Sequence, residues 1–267
     1  MIDLCIVNYN TQPMLKRMLD TLHSDLNYVD KMWNLHVCDN GSKDYSWDWL
    51  DSNKEKYYID AGWKNENIGY SAACNLMASQ TKADIICLLN ADVWLTSEDV
   101  VKVQKLFDNN LDTHIIGPKQ RNEHGQITHA GIIGTNKAPK HRGWSVLDKD
   151  DVMFRDRVEC VTISGSAYFI RRSVWNALTN DEQYKKMYPE AIGAFLPTPH
   201  YYEETWCSYF ARHRGYKVVY DGSVSIGHSW HASSPKPGEG YSHADSQFKL
   251  SQSIFRKACD QLGIERD

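Results

Sequence analysis

The 267-residue chain is 42% hydrophobic, which is enough apolar material to bury one sizeable core. Its formal net charge of −4 argues against a broad polyanion-binding surface, although a local basic patch stays compatible with phosphate or nucleic acid. The seven cysteines are scattered without a CxxC pair, a pattern typical of buried thiols in a reducing compartment. No apolar stretch approaches the roughly 18 residues of a membrane span, so we expect a cytoplasmic protein.

Predicted strands and helices alternate over the first hundred residues. The predicted strands cover residues 2–7, 35–39 and 83–89. The predicted helices run from Asn10 or Thr11 to Leu22 and from about residue 71 to residue 79. This alternation favours right-handed crossovers and a mostly parallel sheet, so the fold class is α/β.

The sequence of the second half of the chain predicts helices and strands that alternate less regularly. The predicted helices cover residues 97–109, 203–214 and 245–262, and the predicted strands cover 115–118, 127–133, 158–170 and 217–220. Residues 134–151 are polar and are interpreted as a long, mobile surface loop. Residues 233–241 contain prolines and glycines and are predicted to be irregular.

The stretch Asn90-Ala91-Asp92 ends an apolar strand abruptly at an acid. A buried parallel strand that ends in this way delivers a carboxylate to the edge of the sheet where ligands bind. A divalent cation held by one or two carboxylates is the usual means of neutralising a departing diphosphate. The alternative is that Asn90 and Asp92 simply terminate the strand.

Asp39 also stands at the carboxyl end of a predicted strand, where its carboxylate is placed to accept hydrogen bonds from a nucleobase. The alternative is that Asp39-Asn40-Gly41 is only a turn, since these residue types favour turns for backbone reasons.

Glu203 and Glu204 open a predicted helix, where acids are also favoured by the helix dipole. Adjacent helical residues point about 100° apart, so one carboxylate can face an acceptor while the other supports the site. His228 follows a predicted strand and is a candidate for the metal shell or for a bond to the diphosphate. His231 competes with His228 for that role.

These motifs together resemble the inverting family 2 glycosyltransferases with the GT-A fold, over residues 1 to about 232. The motifs that carry the resemblance, in chain order, are Val7-Asn8-Tyr9-Asn10, Asp39-Asn40-Gly41-Ser42, Asn65-Glu66-Asn67-Ile68-Gly69-Tyr70 with Asn75, Asn90-Ala91-Asp92, Ile163-Ser164-Gly165-Ser166-Ala167 with Arg171-Arg172, Tyr202-Glu203-Glu204, Arg214-Gly215-Tyr216 and His228. The chain departs from the family in having Asn90 where an Asp is common and Glu204 where an Asp is usual. The first departure implies weaker metal binding.

The resemblance implies a single GT-A-like domain, a three-layer sandwich around a mostly parallel sheet. Residues 1–110 would bind the nucleotide sugar, residues 111–232 the acceptor, and residues 233–267 would form a loop and a helix that pack on the domain. The residues implied for donor binding are Asn8, Tyr9, Asn10, Asp39, Asn67, Gly69, Asn75, Asn90, Ala91, Arg142, Ser164 and Gly165. Asp92 and His228 are the implied ligands for Mn²⁺ or Mg²⁺. Glu204 is the implied general base and Glu203 its support.

Family members usually extend glycans or glycolipids, which makes such an acceptor the first expectation. Hydroxylated bases of viral DNA are the alternative acceptor, with the basic loop residues Lys137, Lys140 and Arg142 as the nearest cluster. A non-catalytic protein that binds nucleotide sugars is the third possibility. A nucleotidyltransferase or a dehydrogenase would need a glycine-rich loop after the first strand, and Asn8-Tyr9-Asn10-Thr11 is not one.

Overall fold

A computed structural model of the chain describes residues 1–24, 32–64, 66–229 and 241–266. The strands are β1 (Ile2–Asn8), β2 (Trp33–Asp39), β3 (Ala61–Lys64), β4 (Ile85–Asn90), β5 (Val93–Trp94), β6 (Ile115–Arg121), β7 (Ile127–His129), β8 (Ile132–Thr135), β9 (Ala138–His141), β10 (Arg157–Glu159), β11 (Ala167–Arg171) and β12 (Val218–His228). The helices are α1 (Gln12–Leu22), α2 (Ser46–Asn53), α3 (Tyr70–Gln80), α4 (Ser97–Asn109), α5 (Arg172–Thr179), α6 (Glu182–Met187), α7 (Glu203–His213) and α8 (Tyr241–Leu262).

One large sheet runs through the molecule in the order β10-β12-β6-β11-β4-β1-β2-β3. Strands β3, β2, β1 and β4 are mutually parallel, and β6 is parallel to β12. Strand β11 is antiparallel to both β4 and β6 and joins the two parallel groups. Short strands β5 and β7 add antiparallel pairs to β12 and β6. The predicted α/β class and mostly parallel sheet are confirmed.

Helices cover both faces of the sheet, which gives the expected three layers. Helices α1, α2 and α4 pack their apolar side chains on one face, together with the β1 residues Leu4 and Ile6. Helices α3, α5, α7 and α8 pack on the other face, together with Cys5 and Val7. Because β1 is buried on both faces, its sequence does not alternate and is apolar from Leu4 to Val7, with Asp3 and Asn8 as its buried polar residues.

Several predicted elements are confirmed and several boundaries are wrong. Helix α4 spans the predicted residues, and a capping box between Thr96 and Asp99 fixes its start. The predicted strand 127–133 is two strands, β7 and β8, separated at Gly131, whose φ is +89°. The predicted strand 158–170 is interrupted between β10 and β11, and β12 continues well past residue 220 to His228. Helix α8 begins at Tyr241, earlier than predicted, and residues 233–240 lie outside the described part of the chain.

The interpretation of residues 134–151 as a mobile loop was wrong. Strands β8 and β9 form a two-stranded hairpin over its first part. Residues 142–151 are bound to β6 through Lys119. Its buried ammonium pairs with Asp148 and also donates to the Met153 carbonyl. The Asp148 carboxylate in turn accepts hydrogen bonds from the Val152 and Met153 amides at 3.0 and 3.2 Å. The segment is therefore a braced part of the domain.

All seven cysteines are buried as thiols. Among the residues that the structure describes, no helix is both long and apolar enough to span a membrane.

Candidate active site

The carboxyl ends of β1 and β2 meet at one corner of the sheet and are joined by side-chain hydrogen bonds. Asn8 donates from Nδ2 to Asp39 Oδ2 at 3.0 Å and to Ser42 Oγ at 3.1 Å. The Ser42 amide donates to Asp39 Oδ1 at 2.9 Å. Asp39 is fully buried, so its carboxylate shapes the turn, and direct contact with a base would require one of these bonds to give way. Tyr9 is 40% exposed beside this turn.

Asn10 and the residues 66–69 extend the same corner. Asn10 has a left-handed φ of 54°, and its Oδ1 accepts a hydrogen bond from the Lys43 amide at 2.7 Å. Asn67 Oδ1 accepts from Asn40 Nδ2 at 3.3 Å and from the Gly69 amide at 3.0 Å. A Cβ on Gly69 would lie 3.1 Å from the Pro199 carbonyl oxygen, so glycine allows this close approach. The structure thus brings Asn8, Asn10, Asp39, Asn67 and Gly69 together. Asn65 lies outside the described residues.

Asn75 is placed differently from its expected role in donor binding. Its side chain is buried in α3, donates from Nδ2 to the Phe195 carbonyl at 2.9 Å and accepts from the Phe195 amide at 3.1 Å. Both ends of the amide are therefore occupied by backbone. Asn75 therefore ties α3 to the segment before the acidic pair.

Strand β5 places Asp92 beside His228. Val93 pairs with His228 across β5 and β12, and the Ser229 amide donates to the Asp92 carbonyl at 2.9 Å. His228 Nε2 then lies 3.7 Å from Asp92 Oδ1, and both side chains are less than a tenth exposed. Within the described residues, Asp92 Oδ1 accepts no hydrogen bond. A buried carboxylate oxygen without a donor, facing an imidazole nitrogen at this distance, fits a shared divalent cation.

Asn90 lies at the end of β4, next to this pair. Its backbone amide donates to the Ser166 carbonyl at 2.9 Å, while its buried Oδ1 finds no donor among the described residues. The Ala91 side chain is buried in the core and does not face the cleft. In the described part of the chain no group of three or more acidic, histidine or cysteine side chains converges on one point. His231, the competing histidine, lies outside the described residues.

The acidic pair is presented by a strained turn. Tyr201 and Tyr202 have left-handed φ values of 74° and 68°, and Glu203 and Glu204 then open α7. Glu203 is 4% exposed and accepts a hydrogen bond from Thr198 Oγ1 at 3.3 Å. Burial, together with the neighbouring Glu204 carboxylate, raises the pKa of Glu203 to about 8. Burial also raises the pKa of Glu204.

Helix α8 packs against this turn. Gln252 donates from Nε2 to the Tyr202 hydroxyl at 3.0 Å, and the rings of Tyr202 and Phe255 stack with their centroids 4.9 Å apart. The Ser251 hydroxyl donates to the His200 carbonyl. The C-terminal helix therefore contacts the turn that presents the acidic pair.

The loop 164–166 connects the two chemical parts of the site. On one side the Ser166 carbonyl receives the Asn90 amide, two residues from Asp92. On the other side Gly165 packs against Glu204, because a Cβ on Gly165 would lie 3.0 Å from Glu204 Cγ. Tyr70 donates from its hydroxyl to the Gly165 carbonyl at 3.3 Å. The loop 164–166 therefore contacts both the strand end before Asp92 and the acidic pair.

We expect Gly165→Ala to lower turnover by roughly 10- to 100-fold, because the added methyl displaces Glu204 from its position. The measurement is kcat for sugar-nucleotide turnover, with a thermal melt as the test of folding. Gly62→Ala is the matched control, since the nearest atom to its added Cβ is a carbonyl oxygen at 4.0 Å. Equal activity of the two variants would contradict the assigned contact.

Two buried polar residues border the same loop. Gln120 is a fully buried residue of β6 whose Oε1 accepts from Ser166 Oγ at 2.7 Å. His129 Nε2 accepts from the Ser164 amide at 3.4 Å. Burial and the nearby His141, His228 and Arg142 lower the pKa of His129 to about 3, so its imidazole is neutral. The sequence analysis did not identify Gln120, although a polar residue within a buried strand is a pattern that could have indicated it.

Arg142 does not join the cleft as a free cation. Its guanidinium makes two hydrogen bonds to Asp156 at 2.8 and 3.0 Å and lies over the rings of Phe154 and Tyr220. Its side chain braces β9 against the following segment. The expected contact with a diphosphate would require this ion pair to open.

A sequence model described as glycosyl transferase family 2 matches residues 3–178, well over half of the chain. The chain belongs to glycosyl transferase family 2. No curated protein matches the sequence closely enough to serve as a relative.

Solved structures with the same GT-A fold share little sequence with this family member. Staphylococcus aureus TarS residues 1–349 superpose with a TM-score of 0.60 at 10% identity, covering 97% of this chain and 64% of that one. PcManGT, a mannosyltransferase of Pyrobaculum calidifontis solved with GDP-Man and Mn²⁺, gives 0.62 at 12% identity with the same coverage. GalNAc-T7, solved with UDP, GalNAc and Mn²⁺, gives 0.68 at 13% identity, covering 97% of this chain and 47% of that one. The chain spans less than two thirds of the length of these three proteins.

Proposed function

We propose that this family 2 glycosyltransferase transfers a hexose from a nucleotide-diphosphate sugar to an acceptor hydroxyl with inversion, using Mn²⁺ or Mg²⁺ and a glutamate base. The observation that carries the proposal is the loop 164–166, which contacts both the strand end before Asp92 and the side chain of Glu204. This contact supports the proposal that a cation ligand and a proton acceptor serve one substrate. In this proposal residues 1–110 bind the donor and residues 111–232 bind the acceptor.

Asp92 and His228 are the residues that would hold the divalent cation, which supplies charge neutralisation for the departing diphosphate. Asn90 contributes at most a neutral oxygen. One carboxylate and one imidazole bind a hard cation less tightly than two carboxylates do, so we expect the cation to be held jointly with the diphosphate of the donor.

Glu204 is the proposed general base. Burial and the neighbouring Glu204 carboxylate raise the pKa of Glu203 to about 8, which favours its protonated form at neutral pH and makes it the weaker candidate for the base. Glu204 is the less buried of the two and lies against the 164–166 loop. In a single displacement, the acceptor hydroxyl attacks the anomeric carbon, the carbon–diphosphate bond breaks, and the hydroxyl proton passes to the Glu204 carboxylate.

The raised pKa of Glu203 also predicts a pH dependence of stability. The native state holds this proton more tightly than the unfolded state does, so the contribution to stability is present below pH 4.5 and is lost as the pH rises to about 8. We expect the melting temperature of the wild type to fall between these pH values relative to that of Glu203→Gln. Parallel melting curves for the two proteins over this range would contradict the assigned pKa.

A glycan or glycolipid is the proposed acceptor. The alternative acceptor, a hydroxylated base in viral DNA, depended on the basic residues 137–142, and the structure pairs two of them with acids: Lys137 with Glu265 at 3.3 Å and Arg142 with Asp156 at 2.8 Å. This pairing reduces the positive charge available to a DNA backbone. A non-catalytic nucleotide-sugar-binding protein is the remaining alternative, and it would have no use for a buried acidic pair beside the cation site.

The experiment that tests the function is a donor-hydrolysis screen. The protein is incubated with Mn²⁺ or Mg²⁺ and a panel of uridine, thymidine and guanosine diphosphate sugars, and released nucleoside diphosphate is measured. We expect release from one donor that depends on the added metal. Binding of a donor without release of nucleoside diphosphate would favour the non-catalytic alternative. If no donor is bound and none is hydrolysed, the whole proposal is contradicted.

A further inference from the structure

Helix α8 presents a basic face to solvent, although the chain as a whole carries a net charge of −4. Lys249, Arg256 and Lys257 lie on the same side of the helix, spread over about 12 Å along its axis. The face borders a cavity of about 630 Å³. The residues that line the cavity are Lys249, Gln252, Ser253, Arg256, Lys257, Asp260 and Gln261.

Two of the three cations on this face, Lys249 and Lys257, carry the charge that is open to solvent. Lys249 and Lys257 are exposed, and in the part of the chain that the structure describes neither forms an ion pair. The acidic member of the lining, Asp260, is already bound by Arg266 through two hydrogen bonds at 2.8 and 3.0 Å. A neighbouring cavity, which shares Gln261, adds Lys186 from α6. A ligand in this cavity therefore meets net positive charge.

One residue connects the basic face to the catalytic turn. Gln252 lines the cavity and also donates to the Tyr202 hydroxyl at 3.0 Å. Tyr202 directly precedes Glu203 and Glu204. Gln252 therefore lies between the cavity and the turn that presents the proposed base.

The chemistry of the lining favours a glycan over a nucleic acid. Amides and a hydroxyl, from Gln252, Gln261 and Ser253, stand between the cations and match sugar hydroxyls. A nucleic acid single strand would call for aromatic surfaces on which bases stack, and the described lining contains none.

We propose that this α8 face is an acceptor-binding surface for an anionic glycan, whose carboxylate or phosphate groups contact Lys249, Arg256 and Lys257. The inference rests on the proposed sugar transfer and specifies the acceptor: a glycan chain with regularly spaced negative charges. Its neutral hydroxyls contact Gln252 and Ser253, and its growing end enters the cleft beside Tyr202.

The test compares the wild type with the triple variant Lys249→Glu, Arg256→Glu and Lys257→Glu. The matched control is Lys82→Glu, Lys102→Glu and Lys105→Glu, which makes the same change of net charge at exposed positions, two of them on α4 across the sheet. The probes are fluorescein-labelled hexagalacturonate for carboxylates, phosphorylated oligomannose for phosphates, neutral maltohexaose, and an oligothymidylate. Binding is measured by fluorescence anisotropy at low and high salt, with thermal melts to confirm folding.

We expect one anionic glycan probe to bind the wild type and the control alike, with a Kd at least tenfold higher for the triple variant and a loss of affinity at high salt. Failure of both anionic glycans to bind the wild type, or equal binding by the two variants, would overturn the inference. So would tighter binding of oligothymidylate than of either glycan. Donor hydrolysis by the wild type is measured in parallel: if it occurs while the probes fail, only the acceptor inference is lost, and if it is absent, the proposed function itself fails.

Discussion

The variant Asp92→Ala is expected to lose donor turnover by roughly a thousandfold or more, since a cation at a departing diphosphate is worth several kcal/mol of transition-state stabilisation. Asp92 is the carboxylate at the proposed cation site, and its Oδ1 is buried without a hydrogen-bond donor among the described residues. The measurement is kcat/KM for the identified donor over a range of Mn²⁺ concentrations. Because the variant lacks the anionic ligand, added Mn²⁺ is not expected to restore turnover.

Asp99→Ala is the control for this variant. Asp99 closes the capping box of α4, so its loss costs about 1 kcal/mol of stability while the cleft stays intact. Turnover by Asp99→Ala should stay close to that of the wild type at temperatures well below its melting point. If Asp92→Ala kept more than about a tenth of wild-type turnover, a difference of only about 1.4 kcal/mol, the cation site would lie elsewhere.

Glu204→Gln is expected to lower kcat by roughly 10²- to 10⁴-fold, because the amide has nearly the shape of the acid and accepts no proton. Binding of the nucleoside diphosphate with metal should be unchanged, since the base contacts the acceptor rather than the donor. The measurements are kcat from donor turnover and the Kd of the nucleoside diphosphate from calorimetry.

Glu203→Gln is the matched comparison. Glu203 is protonated at neutral pH, with a pKa of about 8, and a glutamine reproduces a neutral carboxyl group. We therefore expect its kcat at pH 7 to stay within roughly a few-fold of the wild type, a change of under 1 kcal/mol. A large loss of kcat in Glu203→Gln, combined with an active Glu204→Gln, would instead assign Glu203 as the base and Glu204 as its support.

The sequence was sufficient where local patterns fix the structure. Helix α4 was predicted close to its observed bounds, and the structure shows a capping box of Thr96 and Asp99 at its start. The strand before Asp92 was predicted because its apolar run stops at a polar residue. The corner where β1 and β2 end was also predicted, since parallel strands bring their carboxyl ends to one edge. Helix α2 was missed, because its apolar residues form only a narrow stripe around Leu50.

The roles of individual polar side chains were harder to predict, because their partners lie far along the chain. The Asn75 side chain forms hydrogen bonds with the backbone of Phe195, 120 residues away, and no local sequence pattern predicts that contact. Arg142 forms an ion pair with Asp156, and the buried Asp39 carboxylate accepts a hydrogen bond from Asn8, 31 residues away. The support of the acidic turn by Gln252 and Phe255 likewise needs the packed position of α8.

The central claim, single displacement at one cleft, is tested most directly by the anomeric configuration of the released sugar. In donor hydrolysis water takes the place of the acceptor, and ¹H NMR spectra recorded before mutarotation identify the first anomer formed. We expect the sugar to appear first with the anomeric configuration opposite to that in the donor, and Glu204→Gln to slow its appearance. Release with the donor's own configuration would contradict single displacement and the role of Glu204 as the base.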